Sequence, residues 1–223
     1  MAKVRSYKLL CPIARGLDRI GDRWTLLILR DLHAGPARFS DLQHGLTGIA
    51  ANLLTDRLNK LVADGLISKN AGVHGTTLYS LTDLGRGTRN ILFDLALFGG
   101  QFAPEGEVVD PGNMRTVAVT LGTACQRVIT SDIDLEVQFI IDDEPFALVA
   151  RQGQALMQAG QASAPDVVLE ASYEALLSVS EGEIDMSEFA RDHARLIVNT
   201  PGKEAELMQL MSAAIAVFQP DRL

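Results

Sequence analysis

The chain has only two cysteines and four histidines in 223 residues, and it lacks any long apolar run. Cys11 and Cys125 lie in different halves, which excludes a disulfide scaffold. No apolar stretch approaches the roughly 20 residues needed to span a bilayer. The basic start, MAKVRSYKLLCPIA, carries too short and too interrupted an apolar segment for a secretory signal. A cytoplasmic protein without membrane attachment is expected. G-x-S-x-G, P-loop, G-x-G-x-x-G and metal-ligand patterns are missing, and Asp192-His193 are helical neighbours that point apart. No catalytic residue, metal site or cofactor is expected, and no enzyme. Internal repeats and low-complexity tracts are lacking too.

What is present is an apolar fraction of 47%, enough for real cores, in a chain long enough for two modest domains. The net charge of −8 hides an asymmetry. Residues 1–98 carry 13 Lys and Arg against 8 Asp and Glu, whereas residues 99–223 carry 7 against 20. A basic half (+5) thus precedes an acidic half (−13), and phosphate contact needs local rather than overall positive charge. Gly99, Gly100, Pro104, Gly106, Pro111 and Gly112 cluster where the charge changes sign and read as a linker. The expected domains are 1–103 and 113–223.

In the first half, Pro12 suits a helix first turn, with Ile13, Leu17 and Ile20 at helical spacing. A second helix is expected from Arg23 to Leu32, with Trp24 in the core and Gly35-Pro36 as its stop. Ser40 is a good N-cap for a short helix, Asp41 to His44. A longer helix from about Ile49 to Asp64, stopped by Gly65, places Ala50, Leu54, Leu58 and Leu61 on one face. Asn52, Asp56 and Lys60 fall opposite, with Leu53 beside them. Leu66–Asn70 and Thr76–Leu81 read as two strands joined by Ala71–Gly75. Thr82 caps a last helix to about Phe98, whose stripe of Leu84, Ile91, Leu92, Leu95 and Phe98 is long for so small a domain and suits a partner subunit.

A tight helix pair leading into a β-ribbon predicts a winged helix-turn-helix with its second helix in a DNA major groove. On that reading Asn52 pairs with adenine, Leu53 touches a thymine methyl and Asp56 accepts from cytosine. Arg38, Lys60, Lys69 and His74 are expected at phosphates, and Ser40 and Thr55 complete the predicted contact set. Arg57 lies at the edge between the faces, where it reaches either phosphate or a local carboxylate.

The second half changes character. Leu135, Val137, Phe139 and Ile141 alternate with Glu136, Gln138 and Asp142, the pattern of a half-buried strand. Strand-like runs follow at 146–150, 167–170 and 195–198, and helical runs at 172–179 and 203–218. The expectation is an α+β fold with an antiparallel sheet. Phe139, Phe146, Leu148, Leu176, Leu177, Met208 and Met211 are candidates to line a pocket, with ordinary core as the default alternative.

Residues 5–99 resemble the HxlR family of winged-helix transcriptional regulators. The resemblance rests on Cys11-Pro12, GDRWTLLILRDL from Gly21 to Leu32, Arg38-Phe39, Leu42, Leu54-Thr55, Arg57-Leu58, Leu61, Asp64 to Ile67 and YSLTDLG from Tyr79 to Gly85. It implies a homodimer on a roughly palindromic double-stranded DNA operator. The chain departs from the family pattern at Ala50 and Asn52, where Ser and Lys are usual, and at Asp56, where an uncharged polar residue is common. Some relatives sense oxidants through a cysteine at the position of Cys11, and neighbouring Lys8 and Arg15 and a helix N-terminus favour a thiolate. Residues 113–218 resemble the sterol carrier protein type of lipid-binding domain through Phe146–Leu148, Gly153, Gly160 and APDVVLEASYEALLSVSEGEID from Ala164 to Asp185. That resemblance implies an α/β fold with an apolar tunnel. The expected function is DNA-binding regulation controlled by a hydrophobic or amphipathic small molecule. The alternative is redox control through Cys11, with the second half serving only oligomerisation or protein interaction.

Overall fold

Capping and burial set the elements of the computed structural model, which describes residues 6–72, 75–103 and 113–219. The chain divides into two units, 1–92 with 108–113, and 93–107 with 114–223. In the first, Pro12 opens α1 (Pro12–Ile20). Asp22 accepts from the backbone N–H of Trp24 (3.0 Å) and Thr25 (3.1 Å), so α2 (Thr25–His33) starts two residues later than the apolar pattern suggests. Trp24 is half-buried rather than core, with the Arg23 guanidinium over its ring. α3 (Phe39–Gly45) begins one residue before the expected Ser40 cap. The Asp41 carboxylate reaches back to the Arg38 N–H at 2.9 Å and does the capping.

The longer helix, α4 (Ala51–Ala63), leaves Ala50 outside it and exposed. Its end follows the expected glycine stop. Gly65 takes φ +73°, and the Leu66 N–H reaches back to the Leu61 carbonyl at 3.0 Å. β1 (Ile67–Ala71) and β2 (Thr77–Leu81) then pair antiparallel, Ile67 opposite Leu81 and Ala71 opposite Thr77. Ala37 adds a bridge to Tyr79. Val73 and the candidate His74 lie outside the described residues.

The expected single helix after Thr82 is two. Thr82 caps α5 (Asp83–Arg86) by accepting from Gly85 N–H, and α6 (Arg89–Gly99) follows a break at Gly87 and Thr88. The buried Thr88 hydroxyl donates to the Gly85 carbonyl and lies 3.0 Å from His33 Nε2, which secures the break. Gly85 is required there, because a Cβ would sit 2.0 Å from the Leu66 carbonyl oxygen. Burial, with Arg89 and Arg86 nearby, pushes His33 down to about 4, so its imidazole is neutral at physiological pH.

The second unit holds α7 (Thr116–Val128), β3 (Asp134–Ile141), β4 (Glu144–Arg151), β5 (Gln154–Ala159), β6 (Val167–Ala171), α8 (Tyr173–Glu181), α9 (Met186–Glu188), a π-helical turn (Phe189–His193), β7 (Ala194–Val198) and α10 (Lys203–Ala216). The strand order is β5-β4-β3-β6-β7. The sheet is mixed, not antiparallel throughout: β6 runs parallel to β3, with Val137 opposite Val167. Parallel pairing arises because the chain leaves the β5 edge and crosses the sheet before pairing again. One sheet face, including Leu135, Val137, Phe139, Phe146 and Leu148, is fully buried, and α7 and α10 pack on the sheet.

The polar alternates of β3 are buried as well. Glu136 is 5% and Gln138 4% exposed, beneath the 160–166 connection. The Glu136 carboxylate accepts from Ser163 N–H (2.6 Å), Ser163 hydroxyl (2.8 Å) and Ala164 N–H (3.0 Å), while Gln138 accepts from Ala162 N–H (2.6 Å). Thus the alternation marks two covered faces, one apolar and one holding a strap through polar anchors. Hydrogen bonds from Ala164 N–H and the Ser163 hydroxyl, with others, hold Glu136 below the ordinary carboxylate range. Its contribution to stability is therefore complete above the unfolded-chain value of about 4.3 and is lost as pH falls through the lower folded value. Comparing urea midpoints of wild type and Glu136→Gln should give a gap that is widest near neutrality and narrows below about pH 4. A gap independent of pH would contradict this role.

Candidate nucleic-acid interface and ligand cleft

α4 has one buried side and one bare side. Leu54, Leu58 and Leu61 are at most 1% exposed. Asn52, Thr55, Asp56 and Asn59 are exposed at helical spacing on the other side, and Leu53 is half-buried at the margin. The Thr55 hydroxyl donates back to the Ala51 carbonyl at 2.9 Å. Asn59 belongs to this row although the sequence reading passed over it. Its position seven residues after Asn52, two turns on, was the available signal.

Two cations expected near phosphate are spent internally. Lys60 Nζ donates to the Asp64 carboxylate (2.7 Å) and to the carbonyls of Asp18 (3.2 Å) and Arg19 (3.0 Å). It satisfies the open carbonyl end of α1, where a positive charge is favoured. The i,i+4 spacing of Lys60 and Asp64 was the legible sign. Arg19 adds a second cation to Asp64 at 2.7 Å. Arg57 resolves to the local carboxylate, its Nε 3.0 Å from Asp22 Oδ1. Arg38 and Lys69 are exposed and form no ion pair among the described residues, one at the start of α3 and the other on β1. Ser40 is exposed, its hydroxyl 3.3 Å from Asp41 Oδ1.

Cys11 is exposed at the N-terminal boundary of α1. Cys125 is fully buried, and burial pushes its thiol up to about 12, which makes it unreactive.

In the second unit a half-open cleft of about 1000 Å³ lies among α6, α7, α8 and α10. Of the seven residues proposed from sequence, Leu176 and Leu177 line it. Phe139, Phe146, Leu148 and Met211 are fully buried core, and Met208 is half-buried outside the lining. Strand residues facing helices are packed as core, at the close density of protein interiors. Leu97, Phe102, Leu121, Ile215 and Phe218 supply much of the apolar wall instead.

The polar rod, short preceding helix and β-ribbon define the first unit as a winged helix-turn-helix. The model for HxlR-like helix-turn-helix proteins matches residues 19–107. The chain is 33% identical over 112 residues to the HTH-type transcriptional regulator YkvN of Bacillus subtilis, covering 47% of this chain and 95% of that protein. It is 30% identical over 95 residues to the HTH-type regulator sll1512 of Synechocystis, covering 42% and 70%. The solved structure of PA1607 aligns at 39% identity and a TM-score of 0.41, covering 46% of this chain and 73% of that one. The chain belongs to the HxlR-like helix-turn-helix family. Each of these likenesses spans less than half of it.

Lys60→Ala should lower the unfolding midpoint and leave the salt slope of DNA binding unchanged. Lys69→Ala should cut that slope by about one unit. Fluorescence anisotropy across a salt series reads both, and the reverse pattern would overturn the assignment of these two cations.

Proposed function

We propose that two copies of this chain bind a double-stranded operator and that a hydrophobic or amphipathic molecule in the second unit controls the binding. The exposed row Asn52, Thr55, Asp56 and Asn59 carries this reading. Amide side chains bond adenine bidentately, and a carboxylate among them accepts from a cytosine amino group. The family of the first unit supports DNA as the partner. Arg38 and Lys69 are exposed cations beside α4 in the chain, and His74, outside the described residues, is a further candidate from the sequence. Repeated duplex selection with wild type and Asn52→Ala should give preferred sequences that differ at defined base pairs, each worth about 1–3 kcal/mol. Identical preferences would remove Asn52 from the readout.

Homodimerisation is supported by apolar side chains left in solvent. On α6, Ile91, Leu95 and Phe98 are 49%, 46% and 57% exposed along one side, and Leu10 and Ile13 near the N-terminus are 95% and 75% exposed. Side chains of this size at helical spacing suit a subunit contact. Leu95→Glu should shift the sedimentation coefficient to that of a monomer and abolish operator binding. An unchanged coefficient would place the contact elsewhere.

For the second unit we propose a sterol carrier protein-like domain, residues 113–223, whose cleft, completed by residues 96–103, holds the effector. The α/β architecture with a large, mostly apolar cleft supports this. An effector alters DNA affinity only to the extent that it prefers one arrangement of the dimer. The exposed Cys11 favours a second reading, redox control. Leu176→Trp, which fills the cleft, should abolish effector response under the first reading and leave it intact under the second. Cys11→Ser should do the opposite.

A further inference from the structure

The charge pattern of the cleft selects among amphipaths. Its lining includes one acidic side chain, Glu181, and no Lys, Arg or His among the described residues. Glu181 is the last residue of α8 and is exposed at the cleft. Three rings in the lining, Phe102, Tyr173 and Phe218, supply apolar area together with π faces that attract cations. The other polar lining residues, such as Gln101, Thr120 and Gln219, are uncharged.

The features that favour an anion are already occupied. The N-terminus of α7 reaches the cleft at Thr116 and Val117. There the N–H groups of Val117 and Ala118 donate to the Met114 and Arg115 carbonyls. The nearby Arg127 pairs with Asp94 at 2.7 Å and stacks on Phe93. A fatty acid entering the cleft would find no cation in the lining for its carboxylate and would lie in the field of Glu181. Around it is a half of the chain with 20 acidic residues against 7 basic.

We propose that the cleft takes a cationic amphipath, an aliphatic or ring body carrying an ammonium head that lies against Glu181 and the aromatic rings, and that it disfavours carboxylate lipids. The inference rests on the ligand-binding reading given above for the same cleft. It differs from simple hydrophobic storage in specifying the sign of the head group.

Three twelve-carbon probes test it on the full-length protein by titration calorimetry, the ionic two below their micelle concentrations and the alcohol below its solubility limit: dodecyltrimethylammonium, dodecanoate and dodecanol. The ammonium should bind about fivefold more tightly than the alcohol, with the carboxylate weakest. Glu181→Gln should bring the ammonium and the alcohol close together without weakening the alcohol. Leu176→Trp should reduce binding of both. Dodecanoate binding as tightly as the ammonium would overturn the proposal and leave a ligand cleft in place. So would an ammonium preference that survives in Glu181→Gln, because attraction to the acidic surface at large would then account for it. Failure of all three probes to bind would overturn the cleft reading itself, and this proposal with it.

Discussion

The rotation of α4 about its own axis is the constraint on which the rest depends. A helix presents a defined row of side chains only if its other sides are held. Leu54, Leu58 and Leu61 hold it from within, each removed from water and each contributing roughly 2 kcal/mol by area. Asp64 holds its end by gathering Lys60 and Arg19, and Lys60 also closes the carbonyl end of α1. A turn of one residue would bring Asn59 or Asp56 toward the core, where an unpaired amide or carboxylate is costly. The exposed polar row is therefore a consequence of the buried apolar one.

That arrangement changes the meaning of the basic first half. Its net excess of five positive charges already counts its aspartates, and five of its thirteen cations are held by them. Arg19, Arg30, Arg57, Lys60 and Arg86 each pair with an aspartate. Among the described residues Lys8, Arg15, Arg23, Arg38 and Lys69 are exposed and in no ion pair, and none of them lies on α4. The family supplies the scaffold, while Asn52, Asp56 and Asn59 give this member its own surface.

In the second unit the polar alternates of β3 have a structural use. Glu136 and Gln138 reach out of the sheet and hold the segment that crosses it between β5 and β6. This bonding permits the parallel pairing of β3 and β6, and with it the mixed sheet. The same unit separates packed from unpacked apolar residues. Phe139, Phe146 and Leu148 are fully buried in the core, whereas Leu176, Leu121 and Phe218 border a cleft.

Local signals that act within a turn or two were legible in the chain: Pro12 opening a helix, Gly65 ending one, Thr82 capping the next, and the Leu54, Leu58 and Leu61 stripe. These depend on backbone geometry and on a repeat of 3.6 residues, which neighbouring residues suffice to determine. The bonds of Lys60 to the α1 carbonyls, the partner of Arg57, the covered state of Glu136, the parallel strand pair and the residues bordering the cleft were decided only by the tertiary structure. Each depends on a group that is distant in sequence. A side chain with a free charge, or an apolar one with a choice of neighbours, is committed only when the fold brings that group within reach.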